Sequence, residues 1–285
     1  MRIGAVLPTL TGDADRVLRV AGEAERFGYD GVFVPDHLGA GAGPLPLEAF
    51  ATLAAVASRV PRVRLGTLVA RASLRPIAVL ARTVAAVDAM SGGRLILGLG
   101  AGDAASAAED AAVGLPTLDA DARRRTLAET IDALCVLLAG EPWPGGAVVP
   151  AVRGALAPAA ERVPDLWVGG GSAPIVRIAT ERGIGWNGWG MGADRFEATA
   201  RVVAAAGGEP TWGGVVAVAP TPAALEALLE RRRAAGLPAP HAMGTPADLR
   251  VWLDGLAAAG VTWVVAVVAG GEAGLETFAR EVAGR

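Results

Sequence analysis

A chain of 285 residues that is 52% hydrophobic and 19% charged has ample apolar material for a core, which excludes wholesale disorder. Its formal net charge of -3 offers no broad cationic surface for a phosphate backbone, so nucleic acid is a poor expectation as a partner. Cys135 is the only cysteine, which rules out an intrachain disulfide and a cysteine-based zinc cluster and points to a reducing cytoplasm.

The N-terminal stretch is too short an apolar run for a signal peptide. It reads as the first of eight short apolar runs bounded by Gly or Pro, Arg2 to Pro8. Val17, Ala21, Ala24 and Phe27 then recur at helical spacing, with Asp13 able to cap the start of that helix and Gly28 to end it. Runs two to four are Gly31 to Pro35, Val63 to Val69 and Arg94 to Gly100. The connection from Ala101 to Pro164 exceeds the usual loop length. Within it, Ala120 to Ala139 reads as a helix with Leu127, Ile131, Leu134 and Leu138 on one face, and Gly140 to Pro158 shows no periodicity. Leaving strand four at its C-terminal end, this segment either reaches over the barrel mouth or is an excursion without a role.

The remaining runs are Asp165 to Gly169, Gly185 to Trp189, Thr211 to Ala217 and Val261 to Ala269. Thr221-Pro222 and Thr245-Pro246 each join an N-cap to a proline at the first helical position, and Gly236 and Gly260 supply the stops, so two helices separate strands seven and eight. The last run is far shorter than the ~20 residues a membrane helix needs, and no span is expected. Eight strands alternating with helices, with no break in composition, predict one α/β domain over 1–285: a closed (β/α)8 TIM barrel with an extended connection after strand four. An open doubly wound sheet also satisfies the alternation.

In a barrel the chemistry sits at the C-terminal ends of the strands. Asp36 and His37 follow strand two directly. A histidine there is poised for proton transfer or for hydrogen bonding to a polar cofactor edge, or is a structural residue held by Asp36; position leaves both readings open. Strand four ends Gly98-Leu99-Gly100-Ala101-Gly102-Asp103, where alternate glycines let a ligand approach the backbone. Asp103 is an acid facing His37 or a helix N-cap, Ser106 follows one turn on, and Glu109, two turns on, reads as helix surface. Gly169-Gly170-Gly171-Ser172 precedes a helix start, where backbone N–H groups and the hydroxyl suit a phosphate; the alternative is a tight turn with an ordinary cap. No spaced set of metal ligands and no Gly-x-Ser-x-Gly elbow is present. His241 falls in a Pro-rich stretch away from any strand end, and the Trp residues at 186, 189, 212 and 263 read as core.

Four stretches together resemble the luciferase-like monooxygenase family, in particular its F420-dependent oxidoreductases: Gly28 to His37, Leu65 to Val69, Ser91 to Gly102 and Val168 to Ser172. With Arg75-Pro76 and Gly244-Thr245-Pro246, their order and spacing span nearly the whole chain. The resemblance implies a bacterial-luciferase-like TIM barrel with an isoalloxazine-type ring in its mouth. It implies Asp36 and His37 beside the ring, a non-proline cis peptide at Leu68-Val69 after Thr67, and a phosphate turn at Gly169, Gly170, Gly171 and Ser172. Asp103 falls where some relatives place a Glu acid and is one methylene shorter; Ser106 falls where some place an Asn contacting the cofactor. Leu38 to Pro44 lacks the aromatic residue that many relatives use near the substrate. Arg94 reads as structural, paired with Asp88.

The expected function is hydride transfer between coenzyme F420 and a small-molecule substrate, in a cytoplasmic homodimer. The alternatives are an FMN-dependent monooxygenase served by a separate reductase, and a barrel that binds cofactor without turnover.

Overall fold

Asp13 accepts the Arg16 amide at 2.9 Å, so the first helix starts where the sequence places it. Thr221 caps its helix in the same way, and Thr245 forms a reciprocal capping box with Asp248. In this computed structural model, which describes residues 1–39, 45–155 and 159–285, such caps separate strands that pair in parallel throughout. The chain runs β1 (Arg2–Val6), α1 (Ala14–Arg26), β2 (Gly31–Val34), α2 (Ala49–Arg59), β3 (Arg64–Arg71), α3 (Ile77–Met90), β4 (Leu95–Gly100), α4 (Ala104–Ala112) and α5 (Ala120–Leu138). It continues β5 (Asp165–Gly169), α6 (Ala173–Arg182), β6 (Gly185–Trp189), α7 (Ala193–Ala205), β7 (Pro210–Val218), α8 (Pro222–Ala234), β8 (Ala242–Gly244), α9 (Pro246–Ala258), β9 (Trp263–Ala269) and α10 (Gly271–Thr277).

Strands β1 to β7 pair in sequence order; β7 then pairs with β9, and β9 returns to β1, closing an eight-stranded ring with the helices outside. This is a (β/α)8 TIM barrel, and the open-sheet alternative is set aside by the β9–β1 pairing. The three-residue β8 lies beyond the eight expected strands. It exists because β7 overruns β6: Trp186 to Trp189 pair with Pro210 to Gly213, which leaves the upper edge of β7 exposed. Ala242 to Gly244 cover Val216 to Val218. His241 bridges the gap, its amide donating to the Val215 carbonyl at 2.8 Å and its Nδ1 accepting the Val215 amide at 2.9 Å.

Phe33, Trp167 and Trp263 plug the barrel below the mouth, with ring centroids 5.5 to 5.8 Å apart. Glycines on the neighbouring strands make that plug possible, since a Cβ at Gly66 would lie 2.5 Å from the Phe33 ring and one at Gly185 2.2 Å from the Trp167 ring. Trp186 and Trp212 are buried under the outer helices, whereas Trp189 is 43% exposed at the mouth.

One expectation is corrected at the opposite end. Arg94 does not pair with Asp88: its guanidinium donates to the carbonyls of Ala57, Val60, Val63 and Ser91, which uses four of its five N–H groups around the C-terminal ends of α2 and α3. Asp88 instead accepts the Leu95 amide and Arg162 Nε. The described part of 140–158 does not cover the mouth. Glu129 of α5 accepts the amides of Ala147, Val148 and Val149, and Trp143 bridges to Val152, which fastens the segment to α5. Among the described residues, no helix is long and apolar enough to cross a membrane.

Candidate active site

The C-terminal strand ends open into one cavity of about 990 Å³. That is the upper end of the size range of small-molecule sites, ~300–1,000 Å³. Asp36, His37, Leu68, Val69, Asp103, Ser106, Gly169, Gly170, Gly171 and Ser172 all line it. Thr67 does not: it is fully buried with its hydroxyl donated to the Gly98 carbonyl at 2.7 Å, so it supports the wall rather than facing a ligand. The expected cofactor contact at Thr67 is corrected accordingly.

The Leu68-Val69 peptide is cis, as the resemblance implies. Three glycines are fitted to the Val69 side chain. A Cβ at Gly100 would lie 2.4 Å from it, one at Gly169 2.7 Å and one at Gly98 3.4 Å, with the Thr67 carbonyl only 2.3 Å from the last. The glycines of strand four therefore seat Val69 from behind, a neighbour rather than a ligand.

Asp36 is buried and does not hold His37. It accepts Arg75 Nη1 at 2.7 Å, Arg75 Nη2 at 2.9 Å and the Arg71 amide at 3.1 Å. Burial alone lowers the Arg75 guanidinium, but hydrogen bonding and charge attraction from Asp36 and Glu48 outweigh it and hold the group above its usual range. The partner of His37 is Glu109, with Nδ1 3.1 Å from Oε1. Glu109 Oε2 also accepts the Leu38 amide at 3.2 Å and Arg71 Nη2 at 3.1 Å. Arg71 is 4% exposed and binds Asp110 at 2.8 Å through its other nitrogen. A buried guanidinium thus fixes the carboxylate that fixes the histidine, leaving Nε2 as the ring nitrogen available to a ligand.

Glu109→Gln is expected to lower turnover about tenfold with little change in KM. A carboxamide presents an NH₂ where both Leu38 and Arg71 donate, so His37 loses its fixed orientation rather than its chemistry. Steady-state kinetics with Glu109→Asp as a partial rescue checks this.

Asp103 caps α4. Its Oδ1 accepts the Ser106 amide at 2.8 Å and the Ser106 hydroxyl at 2.9 Å, and its own amide donates to Ser106 Oγ at 3.3 Å. Both residues reach the cavity through this capping box. At the β5 turn, Trp186 Nε1 donates to the Gly170 carbonyl at 2.7 Å and Arg195 Nη2 to the Gly171 carbonyl at 2.5 Å. In a trans peptide the N–H opposes the C=O, so these two donors turn the Gly171 and Ser172 amides to the other side. Neither amide is donated to an acceptor among the described residues, and the Ser172 hydroxyl makes no cap to α6. Gly170, at φ 135°, needs glycine for this path. Among the described residues there is no cluster of potential metal ligands.

Glu109, Arg71 and Trp189 belong to the site and were not legible as such. The only signal for Glu109 is its place two turns beyond Asp103. Residues 40–44, which hold most of the segment lacking an aromatic, lie outside the described residues.

The chain is 38% identical over 128 residues to 4-hydroxyprotoasukamycin monooxygenase of Streptomyces nodosus subsp. asukaensis, covering 44% of this chain and 32% of that protein. It is 37% identical over 112 residues to the F420-dependent glucose-6-phosphate dehydrogenase of Intrasporangium calvum, covering 38% and 33%. The match thus spans about a third of the length of these curated relatives. The structure of an F420-dependent secondary alcohol dehydrogenase in complex with an F420-acetone adduct superposes with a TM-score of 0.79 at 18% identity, over 99% of this chain and 98% of that one, and so shares the fold. The sequence profile described as luciferase-like monooxygenase matches residues 1–262, and the chain belongs to that family.

Proposed function

We propose that this chain is an oxidoreductase that transfers a hydride between coenzyme F420 and a small organic substrate. The observation that carries the reading is one continuous cavity that joins the Glu109-held His37 to a turn with two undonated amides. The residues present fit the coenzyme: Gly171 and Ser172 amides for its phosphate, with Gly169 and Gly170 shaping the turn, and Leu68, Val69 and Ser106 along its ring. Asp36 acts from behind, holding the Arg75 side chain and the Arg71 backbone that frame the wall.

When bound, F420 supplies a two-electron hydride acceptor or donor. His37 Nε2 takes the proton from a substrate oxygen as the hydride leaves the adjacent carbon, or returns it in the reverse direction. Asp103, at the start of α4 on the cavity wall, is the second acid in this reading. The enzyme is read as a cytoplasmic homodimer.

The preference for F420 over FMN rests on likeness to the F420-dependent relatives. The Streptomyces monooxygenase relative supports a second reading, an FMN-dependent monooxygenase with a separate reductase. Equilibrium titration of the purified protein separates them. F420 is expected to bind at least about tenfold more tightly than FMN, and the reverse order overturns the cofactor assignment.

Gly171→Val is expected to weaken F420 binding by about tenfold or more while leaving the fold intact. The added Cβ meets the flexible end of Met191 at 2.7 Å, which can move aside, but the branched side chain crowds the amides. Titration alongside circular dichroism checks this, and unchanged affinity refutes the phosphate assignment.

A further inference from the structure

The cavity is lined on more sides than the one that carries the phosphate turn. In a ring of eight strands β1 lies four strands from β5, so the wall built by β1, α1, β9 and α10 stands opposite the phosphate turn. Leu7, Leu10, Val20 and Val268 give it an apolar stretch beside Thr11 and the Arg19–Glu272 pair, and Leu10 is 51% exposed. A large apolar side chain left bare inside a cavity favours an apolar ligand above it.

The charges around the cavity are not balanced. Asp36 is held by Arg75, and Asp103 caps α4. Glu272 pairs with Arg19 at 3.2 Å and Arg26 at 3.7 Å, and Arg71 pairs with Glu109 and Asp110. Two lining guanidiniums remain, Arg16 and Arg232, and neither has a carboxylate within 4.0 Å among the described residues. Arg232 donates only to the Pro238 carbonyl, at 3.0 Å, and its Nε is buried with no partner there. Because every basic residue except the two histidines is Arg, residue type means little here. What singles these two out is positive charge without an ion pair among the described residues, Arg16 on α1 and Arg232 on α8, beside the apolar residues of the cavity.

We infer that this half of the cavity selects a substrate with an apolar body and a single anionic end, a carboxylate or a phosphate or sulfate ester, with Arg16 and Arg232 receiving the anion. The inference rests on the oxidoreductase reading only in calling this ligand the substrate; binding of the anion stands on the wall itself. Planar guanidiniums bind such oxyanions through charge-assisted hydrogen bonds.

Isothermal titration calorimetry with octanoate, 1-octanol and octylammonium tests it, on the protein saturated with F420 and on the protein without it. Octanoate is expected to bind on the order of tenfold more tightly than octanol and to weaken with salt, and octylammonium is expected not to bind. Arg16→Gln should lower octanoate affinity several-fold, and with Arg232→Gln added the preference for octanoate over octanol should vanish while octanol binding is unchanged. Equal binding of octanoate and octanol, a preference that survives in the double variant, or no octanoate binding overturns the inference. Failure of F420 to bind would overturn the coenzyme assignment and leave the measurement on the protein without it decisive for the anion. Decyl phosphate in place of octanoate separates the two kinds of anionic end.

Discussion

His37→Ala is expected to reduce turnover by roughly 10²–10⁴, the usual contribution of a positioned general acid or base. The imidazole is 44% exposed and its hydrogen bond among the described residues is to Glu109, so its removal takes little from the core and the unfolding free energy should stay within about 0.5 kcal/mol of the parent. Kinetics must therefore separate from stability. An equal loss of both would make His37 structural, whereas full turnover in the variant would remove it from the mechanism and return the cofactor-binding barrel without turnover as the better account.

Arg71→Met is expected to act the other way, on stability first. The Arg71 side chain is 5% exposed and satisfies Asp110, itself 10% exposed, and Glu109, 17% exposed. Methionine fills much of the volume but leaves both carboxylates facing a gap without a cation. Removing one partner from a buried ion network costs about 3–5 kcal/mol, because the charge left behind has been taken out of water and given nothing in return. The denaturant midpoint at constant slope measures it. An exposed pair such as Arg201–Glu197 is the comparison: Arg201→Met should cost under about 1 kcal/mol. A loss of that small size at Arg71 would mean that water reaches the network, and the rigid support proposed for His37 would be lost with it.

The parts of this fold that were legible in the sequence are those set by neighbours in the chain. Asp13, Thr221 and Thr245 cap helices a few residues away, and the Gly- and Pro-bounded apolar runs became strands to within a residue or two. β8 was not legible, because Ala242 to Gly244 carry no strand pattern of their own and exist to cover the overhang of β7. The glycines of β4 were legible as positions of close approach, but what approaches is Val69, from the neighbouring strand.

The same division holds at the site. Asp36 and His37 are adjacent in sequence and line one cavity, yet each takes its partner from far along the chain: Arg75 for the aspartate, Glu109 for the histidine. Both lie beyond the end of β2, where partners are supplied by the loops and helices that follow other strands. The glycine turn at 169 to 171 was legible as a turn before a helix. Its oriented amides depend on Trp186 and Arg195, which lie 16 and 24 residues from the carbonyls they hold.

The central claim is hydride transfer to or from F420 with His37 handling the proton. The most direct measurement is an anaerobic assay of F420 reduction by a panel of small alcohols, and of reduced-F420 oxidation by their carbonyl partners, including members with a terminal carboxylate, run with the parent protein and with His37→Ala. The account predicts turnover without oxygen and without a reductase, lowered by roughly 10²–10⁴ in the variant. Oxidation that proceeds only with oxygen, FMN and a reductase would contradict it.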